Sequence, residues 1–126
     1  MKLLLISALF PPDGKGGAED CAFSFAEWAT REGHEVLVVT AANGAGDAHR
    51  YQSAAGYDIV KIQTSHVYPV AVFPSAPAYQ KPLWHLQDHF ASAACRPLRQ
   101  IVDTFQPDIA MVHMVQGLGY RILDIL

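Results

Sequence analysis

Apolar and polar positions follow two periods along the first third of the chain, and these periods predict a strand, a helix and a second strand. Residues 3–9 form an apolar run without alternation, which is typical of a parallel strand covered on both faces. Residues 18–31 carry apolar side chains at helical steps, and Gly33 supplies the stop. Residues 35–40 are rich in β-branched side chains and predict the second strand. Together they make one βαβ unit.

The middle of the chain predicts a loop, a third strand and a long irregular segment. Residues 41–53 contain two glycines and little periodicity, so we expect a surface loop. Residues 57–62 alternate well enough for a third strand. Residues 64–81 carry three prolines among aromatic side chains. Long structured segments of this kind are often functional.

The last third of the chain predicts a long helix, a fourth strand and a final helix. Helical spacing runs through Leu83, Leu86 and Phe90 to Phe105, and Pro97 predicts a kink or break within it. Residues 109–113 predict the fourth strand. Residues 117–126 predict a helix with three side chains to bury, Tyr120, Leu123 and Ile125.

Alternating strands and helices predict an α/β fold with a doubly wound, mostly parallel, Rossmann-like sheet. A length of 126 residues fits one domain, so we assign residues 1–126 to a single unit. Ligands of such sheets bind beyond the carboxyl ends of the strands. The loop after the first strand and the residues after the fourth strand are therefore the places to look for chemistry.

The composition of the chain argues against some classes of function. A net charge of -3 without a cluster of Lys or Arg argues against nucleic acid as a partner. The first apolar run is too short to span a bilayer and lacks a signal-cleavage pattern, so we expect a cytoplasmic protein. A hydrophobic fraction of 51% leaves apolar surface for a partner, a peripheral contact with the inner face of the membrane, or a homo-oligomer.

Neither the cysteines nor the histidines predict a metal site. Cys21 and Cys95 lie far apart in helical patterns, and we expect two ordinary buried thiols. His85 and His89 share a helix face, but the HExxH arrangement is missing. We therefore expect a polar helix face and no metal.

The loop after the first strand holds the strongest candidate chemistry. Gly16 and Gly17 precede a helix whose free N–H groups could face an anion or a sugar hydroxyl, although the glycines could also simply make the turn. Asp13 and Glu19 could accept hydroxyl hydrogen bonds, with a helix-terminal role equally open for Glu19. His113 ends the fourth strand, where an imidazole could contact a sugar or serve the structure alone.

Two nucleotide-binding motifs are missing. The GxGxxG fingerprint would need a glycine at Glu19, and residues 40–42 offer no acidic side chain for a ribose. These mismatches argue against a dinucleotide-dependent oxidoreductase. The chain also lacks GxxxxGK[ST], so it is not a P-loop NTPase.

The order and spacing of several motifs resemble family-four glycosyltransferases, which are retaining enzymes of GT-B architecture. The similarity is tightest over residues 1–40 and 106–119, in Phe10-Pro11-Pro12, Gly16-Gly17-Ala18-Glu19, Arg31-Glu32-Gly33-His34-Glu35-Val36 and Gln106-Pro107-Asp108-Ile109 followed by His113 and Gly117. It implies the N-terminal, acceptor-side half of a hexosyltransferase. The partners would be a UDP- or GDP-sugar donor and a glycan or lipid-linked acceptor, with no metal and no cofactor.

The resemblance also implies a role for each candidate residue. Gly16 and Gly17 would approach the donor phosphates, and His113 would contact the transferred sugar. Asp13 and Glu19, with part of residues 64–81, would line the acceptor site. The family's donor-binding domain is absent from these 126 residues. We therefore expect a truncated domain that is inactive in isolation.

A second hypothesis assigns the chain to a different class. Residues 67–79 are apolar and irregular, and they could dock a protein or a lipid-linked molecule without catalysis. Binding of a partner, but of no nucleotide sugar, would distinguish this non-catalytic interaction domain from the glycosyltransferase half.

Overall fold

The computed structural model describes residues 1–66 and 68–126; Val67, the first residue of the apolar segment, lies outside them. The fold is α/β, with a five-stranded sheet flanked by helices. The strands are β1 (Lys2–Ser7), β2 (Glu35–Ala41), β3 (Arg50–Gln52), β4 (Asp58–Ile62) and β5 (Ile109–Met114). The helices are α1 (Gly17–Arg31), α2 (Lys81–Phe90) and α3 (Cys95–Phe105), with short 3-10 helices at Val70–Ser75, Ala78–Gln80 and Tyr120–Asp124.

The sheet is mostly parallel, as the alternating pattern predicts. Its strand order is β3-β4-β2-β1-β5, and only β3 runs antiparallel to its neighbour. The expectation of a loop throughout residues 41–53 is wrong at β3. Three residues are too few to display a period, and it is pairing with β4 that makes them a strand.

The two faces of the sheet carry separate cores. On one face, Ala22, Ala26 and Ala29 let α1 lie close to β1 and β2. On the other face, Trp84, Leu98 and Ile122 bring α2, α3 and the last 3-10 helix onto the same strands. Because helices cover both faces, the central strands are buried along their length, which explains their continuous apolar runs.

The predicted long helix is two helices, and the break is not at Pro97. Residues 91–94 separate α2 from α3, and Pro97 lies in the first turn of α3. A proline is compatible with a first turn because its missing N–H would have no partner within the helix there. At the break, Gly119 packs against Ala91, where a Cβ on the glycine would lie 2.7 Å from the Ala91 carbonyl oxygen.

The buried face of α2 also differs from the prediction. Leu83, Leu86 and Phe90 lie on the surface, whereas Trp84 and Asp88 are 0% and 1% exposed. A tryptophan buries more apolar area than a leucine, and the Asp88 carboxylate is hydrogen-bonded, as described below. Together these two side chains determine which face of α2 turns inward.

The C-terminal segment and the cysteines require further corrections. Residues 117–126 form a turn and a 3-10 helix rather than a full helix. Ile122 is the buried side chain there, while Tyr120 and Leu123 are about half exposed. Cys21 is exposed on α1 and is therefore not the buried thiol that we expected.

Two of the places where apolar side chains remain on the surface are α2 and β5; Phe23 and Trp28 on α1, and Val72 and Tyr79 after β4, are exposed as well. Leu83, Leu86 and Phe90 on α2 lie near Tyr120 and Leu123, since the rings of His89 and Tyr120 are in contact. We call these five residues the α2 apolar patch. The second place is β5, which lies at the edge of the sheet. None of the helices in residues 1–66 and 68–126 has the length and apolarity needed to cross a membrane.

Gly117 provides a test of this packing. It has a φ of +104°, and a Cβ there would lie 2.6 Å from the Val70 Cβ. Gly46 has a φ of +88° but open space around it. We expect Gly46→Ala to lower the free energy of unfolding by about 1 kcal/mol through backbone strain. Gly117→Ala should cost a further ~1–3 kcal/mol through overpacking, measured by urea denaturation. Equal losses would contradict the packing of Gly117 on Val70.

Candidate functional site

The topology of the sheet marks one edge as the place for a ligand. From β1 the chain crosses to β2 through α1 on one face, and from β4 it reaches β5 through α2 and α3 on the other. The loop after β1 leads to α1, whereas the segment after β5 leads to Ile122 on the face of α2 and α3, so the loops that leave these neighbouring strands run to opposite faces of the sheet. A crevice opens at such a switch point beyond the carboxyl ends of the strands. The glycine loop after β1 and His113 near the end of β5 both lie there, and the Ala8 N–H donates to the Met114 carbonyl at 2.8 Å.

The first turn of α1 presents backbone donors at this edge. Gly16 is the N-cap and receives no side-chain cap, and the first helical hydrogen bond runs from the Asp20 N–H to the Gly16 carbonyl. The N–H groups of residues 17–19 therefore have no acceptor within the helix. A Cβ on Gly17 would meet nothing within 4 Å, so the surface beside that residue is open. The helix end can accept an anion or a hydroxyl oxygen.

Glu19 folds back against the glycine loop. A Cβ on Gly16 would lie 2.6 Å from Glu19 Oε2, so the carboxylate occupies the space that a side chain at residue 16 would need. Glu19 is 8% exposed, and it makes no hydrogen bond or ion pair with the residues that the structure describes. Its carboxylate therefore keeps the capacity to accept a hydrogen bond beside the helix end.

Asp13, in contrast, is engaged by the protein itself. Its carboxylate lies 2.5 Å from the Lys61 ammonium, and Asp47 approaches the same ammonium at 3.3 Å. Lys61 belongs to β4, Asp13 to the loop after β1 and Asp47 to the loop after β2. The three charges join the loops after β1 and β2 to β4 along the carboxyl edge. Because Asp13 is paired with Lys61, its carboxylate has less capacity to accept the hydroxyl hydrogen bonds that the sequence predicts for it.

The same charges shift each other's protonation. The pKa of Asp47 is lowered because its carboxylate accepts a hydrogen bond from the Asn43 N–H and lies beside Lys61. Burial lowers the pKa of the Lys61 ammonium, but hydrogen bonds to Asp13 and Asp47 outweigh burial and raise it. Both shifts favour the charged forms, so Asp47 and Lys61 stay ionised over the neutral range.

His113 lies at an irregular point of β5. The pairing of β1 with β5 shifts register there, since Ile6 pairs with Val112 and Ser7 pairs with Met114. His113 is therefore the extra residue of a bulge, a feature that re-aims a side chain. Its Nε2 atom is buried and has no hydrogen-bond partner among the described residues. The predicted position at the carboxyl edge is thus observed, and its contact with a sugar stays a prediction.

A buried carboxylate connects the two loops that follow β4 and β5. Asp88 Oδ1 accepts hydrogen bonds from His66 Nε2 at 2.8 Å and from the Gly117 N–H at 2.9 Å. The side chains of His66 and Asp88 are each 1% exposed. One helix residue therefore holds the segment after β4 and the turn that follows His113.

Trp84 supports the same segment one turn earlier on α2. Its indole N–H donates to the Tyr68 carbonyl at 3.0 Å. Its ring contacts those of His66, Tyr68 and Phe73, with centroids 4.8 to 6.1 Å apart. Most of the aromatic side chains predicted to form a docking loop therefore face the core rather than solvent.

A wide groove lies at the opposite end of the sheet. It has a volume of about 470 Å³ and runs between α3 and the amino ends of β1 and β2. Lys2 and Arg50 line it, but their charges face Glu35 and Asp58. Because α/β sheets bind ligands at their carboxyl edge, this groove is not the candidate site.

Sequence reasoning missed two polar residues at the carboxyl edge, Lys61 and Asp88, and it covered His66 and Tyr68 only as part of residues 64–81, without singling them out as polar groups. Lys61 had a signal, since a lysine in a strand predicted to be half buried needs a partner. Asp88 had a weaker one, because it lies four residues after Trp84 on the same helix face. His66 and Tyr68 sit in irregular backbone, where no period indicates burial.

Within residues 1–66 and 68–126, no group of three or more His, Cys, Asp and Glu side chains could hold a metal ion.

Comparison with known proteins gives one informative similarity. No protein-family model matches this chain. The chain is similar to a protein of Klebsiella pneumoniae described as an uncharacterized 42.6 kDa protein in cps region, with 25% identity over 119 residues. The alignment covers 94% of this chain and 31% of the Klebsiella protein. The chain therefore spans about a third of the length of that relative.

Substitution of Asp88 tests its role as a connector. Asp88→Ala leaves two buried donors without an acceptor, and we expect the free energy of unfolding to fall by about 3 kcal/mol. Asp88→Asn keeps an oxygen that can accept both bonds, so its cost should stay within about 1 kcal/mol. Urea denaturation of both variants measures the difference. An alanine no more costly than the asparagine would contradict the role.

Substitution of Lys61 tests the charge cluster. Lys61→Met should lower the free energy of unfolding at pH 7 by about 2 kcal/mol, because two carboxylates lose a charged donor. A carboxylate with a lowered pKa stabilises the fold above its ordinary value of 3.8, and this contribution is lost as pH falls through the folded pKa. The difference in free energy of unfolding between parent and variant should therefore shrink below about pH 4.

The exposed ion pair between Arg50 and Asp58 offers a control, since Arg50→Met should lower the free energy of unfolding by no more than about 0.5 kcal/mol. A difference that persists at pH 2 would count against the cluster.

Proposed function

We propose that this chain is the acceptor-side, Rossmann-like part of a retaining glycosyltransferase that uses a nucleotide-sugar donor. One observation carries the proposal. The open end of α1 and the half-buried His113 side chain, whose buried Nε2 has no hydrogen-bond partner among the described residues, lie at the same edge of a mostly parallel sheet. Both elements belong to the motifs in which the sequence resembles family-four glycosyltransferases. Enzymes of GT-B architecture bind their substrates at that edge of the sheet.

Each element has a chemical task in this proposal. The N–H groups of residues 17–19 donate hydrogen bonds to a diphosphate oxygen, and Gly17 leaves room for that approach. His113 contacts the transferred sugar and stabilises the positive charge that develops as the glycosidic bond to the diphosphate breaks. Glu19 accepts a hydrogen bond from an acceptor hydroxyl beside the helix end. Asp13 takes a lesser part, since Lys61 already holds its carboxylate.

The similarity to the Klebsiella protein supports this proposal through its name and its length. That relative is described as a protein in cps region, and it is about three times as long as the aligned segment. A GT-B enzyme needs a second domain to complete the donor site, and a protein of that length has room for one. We therefore propose that catalysis requires more chain than the 126 residues described here.

An interaction domain is the second candidate function, and the α2 apolar patch favours it. Leu86 and Phe90 are 57% and 66% exposed, and contiguous exposed apolar surface is typical of sites that bind a partner. A partner that covers this patch would bind without help from the glycine loop or His113. Binding at the patch with no transfer in any context would favour this function over the first.

The decisive experiment joins this chain to the donor-binding domain of a family-four glycosyltransferase and measures sugar transfer from UDP- and GDP-sugars. Binding to the chain alone is measured in parallel by calorimetry. We expect weak or no binding to the chain alone, and binding with turnover in the fusion. His113→Ala in the fusion should lower turnover at least about 100-fold, because a transition-state contact is lost. His89→Ala, which removes an exposed histidine on α2, is the matched control and should leave turnover unchanged.

Gly17→Ala separates ligand approach from folding. The new methyl group meets no protein atom within 4 Å, and alanine favours a helix more than glycine does. Stability should therefore hold or rise while donor affinity falls. Tight binding of a nucleotide sugar by the chain alone would overturn the assignment of the donor site to another domain. Unchanged turnover in the His113→Ala fusion would overturn the role of the histidine.

A further inference from the structure

A small recess lies at the carboxyl edge beside the glycine loop. It has a volume of about 180 Å³, and its walls come from the segments that follow β2 and β4. Ala42 and Gly44 line one side, and Thr64, His66 and Tyr68 line the other. Because β2 is the neighbour of β1, this recess lies one strand away from the glycine loop on the same edge of the sheet.

Two residues of the recess carry buried polar atoms without partners. His66 Nδ1 and the Tyr68 hydroxyl oxygen are both shielded from solvent, and neither has a hydrogen-bond partner among the described residues. His66 is held in place, since its ring packs against that of Trp84 and its Nε2 bonds to Asp88. Buried polar groups are nearly always paired in folded proteins. Two orphaned atoms on one recess therefore point to a ligand that pairs them.

The hydrogen-bonding roles of these atoms define the chemistry of that ligand. A hydrogen bond from His66 Nε2 to Asp88 Oδ1 requires the proton on Nε2, and in that tautomer Nδ1 is an acceptor. The Tyr68 hydroxyl can donate and accept. No described residue that lines the recess carries a fixed charge. A hydroxyl group satisfies both atoms, whereas a phosphate would find no cation.

The size of the recess limits the ligand further. Pockets for drug-sized ligands occupy roughly 300–1,000 Å³. A recess of about 180 Å³ is smaller, and it admits one compact group at a time. A single pyranose ring, or another small polyol, has that size and offers several hydroxyls to two fixed polar atoms.

We propose that this recess is a subsite for one uncharged sugar ring, in which His66 Nδ1 accepts a hydrogen bond from one hydroxyl and the Tyr68 hydroxyl bonds another. The assignment of this ring to the acceptor rests on the proposed function; the subsite itself rests on the recess and its two unpaired atoms. Asp88 acts here as a positioning residue, since it fixes the proton on Nε2 and leaves Nδ1 free to accept.

The test uses the isotope-labelled chain and a panel of neutral probes, the methyl α- and β-pyranosides of glucose, galactose and mannose. Nuclear magnetic resonance titration measures Kd and follows His66 Nδ1 through its long-range coupling to the ring protons. We expect saturable binding of at least one probe and a shift of the Nδ1 resonance. Inorganic phosphate serves as the charged comparison and should leave Nδ1 unchanged.

Two pairs of variants separate the subsite from the core. Tyr68→Phe removes the hydroxyl but keeps the ring that packs on Trp84, and it should weaken probe binding about five-fold, as expected for one neutral hydrogen bond. Tyr79→Phe removes an exposed hydroxyl and should bind as the parent does. His66→Gln retains a donor for Asp88 without the Nδ1 acceptor and should weaken binding similarly, whereas His85→Gln on the exposed side of α2 should not.

Several outcomes would overturn the subsite. These are no saturable shift at His66 with any probe, unchanged affinity in a folded Tyr68→Phe variant, an Nδ1 that carries the proton, or tighter binding of phosphate than of sugar. The proposed function fails separately. Loss of transfer in every folded fusion, with probe binding intact, would remove the glycosyltransferase proposal and leave a sugar-binding recess. If the fusion transfers sugar, and Tyr68→Phe changes neither probe binding nor turnover, only the subsite proposal fails.

Discussion

The hydrogen bonds to the buried carboxylate of Asp88 are the constraint on which the carboxyl edge of this protein depends. Two donors from distant parts of the chain, the His66 ring and the Gly117 N–H, meet one oxygen on α2. A buried carboxylate without donors would be strongly unfavourable, so loss of both donors to Oδ1 would be costly. This arrangement therefore fixes the segment after β4 and the turn after β5 relative to α2.

A second polar cluster completes the edge from the other side. Lys61 on β4 holds Asp13 and Asp47, which lie in the loops after β1 and β2. The loops after all four parallel strands are thus tied down by polar groups, while apolar packing builds the layers beneath. Loops immobilised in this way hold a binding site at small entropic cost, because little ordering remains when a ligand arrives. The donors at the start of α1 have no acceptor within the helix, and His66 Nδ1, the Tyr68 hydroxyl and His113 Nε2 have no partner among the described residues.

The sequence allowed the layers of the fold to be predicted better than its connections. Central strands are buried on both faces, so β1 and β2 show continuous apolar runs that local pattern reveals. In α2 the apolar stripe of Leu83, Leu86 and Phe90 was the stronger local signal, yet Trp84 and Asp88 face the core. Periodicity counts apolar residues and does not register a hydrogen bond to a residue that is distant in sequence. For the same reason the helix break at residues 91–94 was placed at Pro97 instead.

The α/β class, the order of the four parallel strands along the chain and the position of the glycine loop and His113 at strand ends follow from the sequence alone, because they depend on periods and turn residues within short windows. Only the tertiary structure decided that Asp13 is held by Lys61, that Glu19 folds under Gly16, and that residues after β4 form a recess with unpaired polar atoms. Each of these depends on a contact between segments that lie on different elements. Such contacts arise from chain topology and side-chain packing, which no local period encodes.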